Sequence, residues 1–179
     1  MARHNKLCDG VADLVSKSFT STHVYDESKI YTVRAVHGGK DTLKGSPLKD
    51  KGDLNGGLLI RDLWTQGTDS INDMHVMNTD ATSYQYKIPK KFLKTYEKGN
   101  NKKYLDACLK NHRHFTPFVA SVEILLGVEA EAMLKYIVRR LATKWNEPYS
   151  CTCRYVKIKF SITLIRAMHC YIRGGRVLV

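Results

Sequence analysis

The sequence predicts an α/β or α+β domain with a small central sheet, on three observations. Apolar residues recur at helical spacing near the start of the chain and again in its second half. Between these stretches lie shorter runs that alternate with period two or are rich in β-branched residues. The implied order is helix, strands, helix, strand, helix. At 179 residues the chain suits one well-formed core, so a single domain over 1–179 is expected.

Arg3 to Phe19 opens the chain with Leu7, Val11, Leu14 and Val15 at helical spacing, interrupted only by Gly10. Thr20 to Val36 suits one or two short strands, with Asp26 and Glu27 at or near the end of the first. Gly, Lys and Asp dominate from His37 to Gly56, which predicts an exposed loop over 37–56. Gly57 to Asn78 reads as a hairpin. Leu58, Leu59 and Ile60 lead through Arg61 and Asp62 to Leu63 and Trp64, then Gln66, Gly67 and Thr68 supply turn chemistry before a second apolar run. In that run Met74 and Val76 point one way, Asp73 and His75 the other. A carboxylate and an imidazole therefore share one strand face. A buried, unpartnered carboxylate costs several kcal/mol, so Asp73 there is paired, metal-bound or catalytic; at a strand end facing water it is simply solvated.

Pro89 fits the first position of a helix running to about Asn111, with Phe92, Leu93, Tyr96, Tyr104, Leu105, Cys108 and Leu109 as its apolar stripe. Gly99, Asn100 and Asn101 weaken its middle. Its other face is basic: Lys87, Lys90, Lys91, Lys94, Lys98, Lys102, Lys103 and Lys110 stand against Glu97 and Asp106. Phe115 to Val122 reads as a strand that Pro117 assigns to an edge or a bulge. Gly127 to Trp145 is the clearest helix, with Met133, Ile137, Leu141 and Trp145 four apart and a Glu131–Lys135 pair on the other face. The last segment alternates like a strand over Val156 to Leu164, yet Ile158, Ile162, Ile165, His169 and Ile172 also form a helical stripe. Its length favours a basic helical extension over about 149–173.

The balance of 29 Lys and Arg against 17 Asp and Glu, a formal charge of +12, points to a polyanionic partner, of which nucleic acid is the usual one inside a cell. A ribosome-associated factor and a surface for anionic lipid are the rival readings. No apolar run approaches the roughly 20 residues of a membrane span. A polar N-terminus and five irregularly spaced cysteines favour an intracellular, reduced protein. Cys151, Cys153, His169 and Cys170 invite a zinc site, but one residue between the first two is short for a ligand pair. Neither a Walker-type phosphate loop nor a Gly-x-Ser-x-Gly elbow occurs. Carboxylates on strands beside a lysine-rich helix are instead the kit of metal-dependent phosphodiester hydrolysis, in which acids hold Mg²⁺ and a cation stabilises charge at phosphorus. Asp73, with His75 beside it, Glu27 and Asp53 are the acids and base that could converge.

Several stretches together resemble the C-terminal region of retrotransposon (reverse-transcriptase) polyproteins, which is similar to the restriction-endonuclease-like fold of the PD-(D/E)xK nucleases. They are RHN (Arg3 to Asn5), DES (Asp26 to Ser28), Gly52-Asp53, the run Leu58 to Tyr84, Glu97 to Leu109, Arg113 to Gly127, Lys144 to Ser150 and Arg166 to Val177. The resemblance covers nearly the whole chain and is most specific from Trp64 to Tyr84. It implies an αβββαβ core with additional C-terminal helices, Mg²⁺- or Mn²⁺-dependent DNA nicking, a place beside the rest of a retroelement polyprotein, and a nuclear address. Asp73 matches the second acid of the family, His75 stands where an Arg or Lys is usual, and Glu27 matches an acid ahead of the loop. Lys98, Lys102 and Lys103 match a basic helix that in some relatives supplies the missing lysine. Lys90, Lys91, Lys94 and Arg113 extend the implied DNA-binding surface. Aligned without gaps from Trp64, the first acid falls on Gly57, and Asp53 takes that place only with an insertion or a slipped register. The implied metal ligands are then Asp53 and Asp73, and the alternative is a degenerate copy that only binds nucleic acid.

Overall fold

The computed structural model describes residues 2–19, 24–26, 57–78 and 88–174. The expected loop over 37–56, and with it Asp53, lies outside the described residues, as does Glu27. Helix α1 (Ala2–Ser18) is followed by strands β1 (Val24–Asp26), β2 (Gly57–Arg61) and β3 (Asp69–Met77), helix α2 (Pro89–Lys110), strand β4 (His114–Ser121) and helices α3 (Val128–Trp145) and α4 (Tyr149–Gly174). The architecture is mixed α/β. The sheet runs in the order β1-β2-β3-β4, with β1–β2 and β2–β3 antiparallel and β3–β4 parallel. A parallel pair needs a long crossover, and α2 is it.

Side-chain alternation divides the sheet between two helical layers. Leu58, Ile60, Met74, Val76, Phe118 and Ala120 point to α1, α3 and α4, where they join Leu7, Val11, Leu14, Met133, Ile137, Leu141, Phe160 and Leu164 in the main core. Leu59, Ile71, Met77, Phe115 and Val119 point the other way, beneath α2. The sheet is thus the middle of three layers, with most of the buried apolar surface on the α1 side.

Helix α4 settles the ambiguous last segment as helix. Val156, Phe160, Leu164 and Ala167 are buried at helical spacing, whereas Ile158, Ile162 and Ile165 are 53%, 41% and 54% exposed. The strand-like alternation arises from two apolar stripes on different sides of one helix. Two expected core residues are outside the core: Leu109 is 55% exposed at the end of α2, and Trp145 stacks edge-on against Tyr155 at the end of α3. Strand β2 also stops at Arg61, short of Trp64. Asp62 adopts a left-handed backbone (φ 63°), its carboxylate accepts the Gly67 N–H, and Gly67 itself has φ 78°. That turn delivers the Trp64 ring to Tyr136 of α3 and its indole N–H to Thr116 Oγ1 at 3.0 Å. Pro117 falls in β4, at the end of the described sheet, as an edge position requires.

Two helical glycines differ in what surrounds them. At Gly10 a β-carbon would collide with the Thr163 side chain of α4, so this glycine sets the close approach of α1 and α4. At Gly99 nothing lies near. Gly99→Ala is expected to raise stability by about 1 kcal/mol through helix propensity alone. Gly10→Ala should lower it, by about 1–3 kcal/mol as overpacking does, in spite of the same propensity gain. Urea unfolding of the two variants side by side tests the opposite signs.

Candidate functional site

Helix α2 rests on the sheet at its two ends and crosses a polar seam between them. Its C-terminal half packs Tyr104, Leu105 and Cys108 on Leu59, Ile71 and Phe115. Its N-terminal half packs Phe92, Leu93 and Tyr96 on Met77 and Val119. Between the two clusters, on the same face of β3, stand Asp73 and His75, both half-buried. The Asn100 side-chain amide donates to Asp73 Oδ2 at 2.8 Å, and the His75 ring stacks on Tyr96 with centroids 4.5 Å apart and planes 22° from parallel. Asp73 is therefore held by a hydrogen bond, and His75 by an aromatic plate.

The register fixes what lies beside Asp73. Its partner in β2 is Gly57 and its partner in β4 is Pro117, so neither neighbouring strand presents a second ionisable side chain in that row. A pair of carboxylates sharing one divalent ion would need an acid here, and Gly57 offers none. Among the described residues no group of three or more His, Cys, Asp or Glu could hold a metal ion. The described residues thus supply one carboxylate of the expected pair. Lys98 stands on the exposed side of α2, whereas Asn100 of the same helix reaches Asp73. The zinc reading fails on distance: Cys151 and His169 lie at opposite ends of α4, about 27 Å apart along its axis.

Glu97, one residue after Tyr96, turns inward and is only 3% exposed. Its two carboxylate oxygens accept the backbone N–H groups of Val128 and Glu129, each at 3.0 Å, at the start of α3. Gly127, the N-cap residue of α3, lies against the same carboxylate, and a β-carbon there would collide with it. No side chain within α3 caps this end, so a residue from another helix supplies the acceptor that its orphan N–H groups require. Sequence reasoning counted Glu97 as part of the surface. The signal it missed is the spacing Leu93, Glu97, Asn100, Tyr104, which continues the buried side of α2 through its polar middle.

With Glu97 withdrawn, the outward side of α2 carries exposed Lys90, Lys91, Lys94, Lys98, Lys102 and Lys103 with Asp106 as its exposed acid. Lys94, Lys98 and Lys102 form a row that climbs about 12 Å. The Lys103 ammonium sits 4.5 Å from the centre of the Tyr104 ring. Arg113 behaves differently. Its side chain is 19% exposed and pairs with Asp69 at 3.9 Å, while Arg61 approaches the other oxygen of the same carboxylate at 3.6 Å. It ties the start of β4 to the start of β3. No protein-family model matches the chain, and neither does any curated protein or solved structure.

Burial pushes the Glu97 carboxyl above its usual range, against the backbone N–H groups of Glu129 and Val128, which favour the ionised form. A carboxyl that holds its proton more tightly when folded contributes stability at acid pH and loses it as pH rises through the raised value. The stability difference between the native protein and Glu97→Gln should therefore shift toward the variant between acid and neutral pH. Glu97→Ala, which leaves two N–H groups without their acceptor, should cost about 1–2 kcal/mol. Chemical denaturation across pH reads both effects.

Proposed function

We propose that the protein is a nucleic-acid-binding domain on a restriction-endonuclease-like core, engaging the DNA backbone through the lysine side of α2. The observation that carries this reading is the inward turn of Glu97, which leaves the lysine row of α2 facing solvent with little compensating charge. Closely spaced cations release the counterions condensed on a polyanion, and that release drives sequence-independent binding. The order of described elements, helix, three strands, helix and strand with a parallel β3–β4 pair, supports the αβββαβ core. The seam under α2 then acts as the mount that holds the basic helix on the sheet.

A second reading, Mg²⁺- or Mn²⁺-dependent nicking, is favoured by the position of Asp73 on a central strand beneath the basic helix. It requires a second acid, for which Asp53 is the candidate, because Gly57, the partner of Asp73 in β2, cannot serve. The lysine row stands on the outward side of α2 and Asp73 on the strand beneath it, so the two readings use opposite sides of one helix and differ in chemistry.

The affinity for duplex DNA should fall steeply with salt, and Lys98→Ala should reduce the slope of log K against log salt by about 1. Arg113→Ala should leave that slope unchanged and lower stability instead, since its charge is held by Asp69. A salt-independent affinity would overturn the binding reading. Incubation of supercoiled plasmid with Mg²⁺ or Mn²⁺ is expected to leave it intact; nicking that disappears in Asp73→Ala would replace the first reading by the second.

A further inference from the structure

Helix α4 carries an apolar stripe that stands outside the core of the described residues. Ile158, Ile162 and Ile165 follow one another at helical spacing and are 53%, 41% and 54% exposed, while the core-facing side of the same helix buries Val156, Phe160 and Leu164. Ile162 and Ile165, with Lys159 and Arg166, also form one wall of a groove of about 650 Å³ between α1 and α4, whose other wall carries Lys6, Asp9, Gly10 and Asp13. Close approach of the two helices at Gly10 and Thr163 closes its floor. Exposed Lys157, Lys159 and Arg166 flank the stripe, and no acidic residue follows Glu147 in the chain. The acids on the α1 side are engaged, Asp9 with Lys6 at 3.8 Å and Asp13 with Lys17 at 2.6 Å.

We infer that the α1–α4 groove and its isoleucine stripe form a docking site for an acidic amphipathic helix of a partner protein. Three features select this occupant. The stripe has the i, i+4, i+7 spacing against which the apolar face of a helix packs. The cations flanking it match carboxylates on the borders of such a face, as charge complementarity across an interface requires. A second copy of this chain packed α4 against α4 would oppose Lys157, Lys159 and Arg166 to their own equivalents with no carboxylate on either helix, and Asp9 and Asp13 across the groove are already paired with Lys6 and Lys17, so that association is disfavoured. The groove is concave, which suits inserted side chains better than the plane of a lipid surface. The site lies on the layer of the sheet opposite α2, and the inference does not rest on DNA binding.

The test titrates the purified protein into fluorescent helical peptides of about five turns. One has leucines along one face bordered by glutamates, one has the glutamates replaced by lysines, and one has the acidic sequence scrambled. The acidic amphipathic peptide should bind, with an affinity that falls with salt. Ile162→Glu, and separately the double variant Lys159→Glu with Arg166→Glu, should each weaken it about tenfold or more. The three substituted residues are exposed or half-exposed, and circular dichroism checks the helix content; Ile165→Ser replaces Ile162→Glu should the latter unfold. Equal binding of the lysine peptide, or binding of none, overturns the inference. So does a stripe whose substitution abolishes adsorption to phosphatidylserine–phosphatidylcholine vesicles or concentration-dependent dimerisation in sedimentation. DNA affinity is measured on the same variants and is expected to be unchanged; its loss in Ile162→Glu would assign the stripe to the nucleic-acid surface and overturn the proposal.

Discussion

One carboxylate ties the two helical layers to each other. Glu97 leaves the middle of α2, passes the edge of the sheet and accepts the first free N–H groups of α3. The two helices belong to opposite layers, so the bond joins across β4 what the sheet keeps apart. Its strength comes from two backbone donors at a helix N-terminus, where partial positive charge and unsatisfied hydrogen bonds coincide. Burial opposes the charge, and the fit of Gly127 leaves no room for a side chain that would separate the carboxylate from its donors. The same bond decides the electrostatics of the surface, because a glutamate used as a cap is no longer available to neutralise the lysines around it.

The periodic parts of the fold were legible in the sequence. Leu7, Val11, Leu14 and Val15 marked α1, and Met133, Ile137 and Leu141 marked α3, because helical burial imposes its own spacing on apolar residues. Asp73 and His75 were placed on one strand face by alternation alone, and they share it in the structure. Contacts between segments distant in sequence were not legible. Nothing local in Arg113 announces Asp69, and nothing in Glu97 announces Val128; by charge type both read as surface residues, and charge type does not show where a side chain turns. The stop at Arg61 was also hidden, since the apolar run continues through Leu63 and Trp64 while the backbone reverses at Asp62.

The candidate site is an arrangement of neighbours with mixed chemistry. Asn100 and Tyr96, which read in the sequence as a weak helix centre and a stripe residue, hold Asp73 and His75 by a hydrogen bond and a stacked ring. A polar seam at the middle of a helix–sheet interface costs packing energy, and each group in it needs a partner to be tolerated. Here α2 supplies those partners with the residues that weaken its own propensity. The helix therefore depends on the sheet for its continuity through Gly99, Asn100 and Asn101.

The parallel pairing of β3 with β4 has a further consequence for assembly. Ser70 can meet His114 only after the whole of α2 has been made and laid across the sheet, whereas the β2–β3 hairpin closes over a short turn. The order of events is thereby biased: hairpin first, crossover next, and the last strand added to an edge of β3 that stands open in the meantime. On the finished molecule, the backbone after β4 folds back to bridge Leu126 to Ala120, and Pro117 removes one donor from the strand. The β4 margin of the described sheet is thus a poor template for a foreign strand once folding is complete, and its time of greatest exposure to misassociation is the interval before α2 docks.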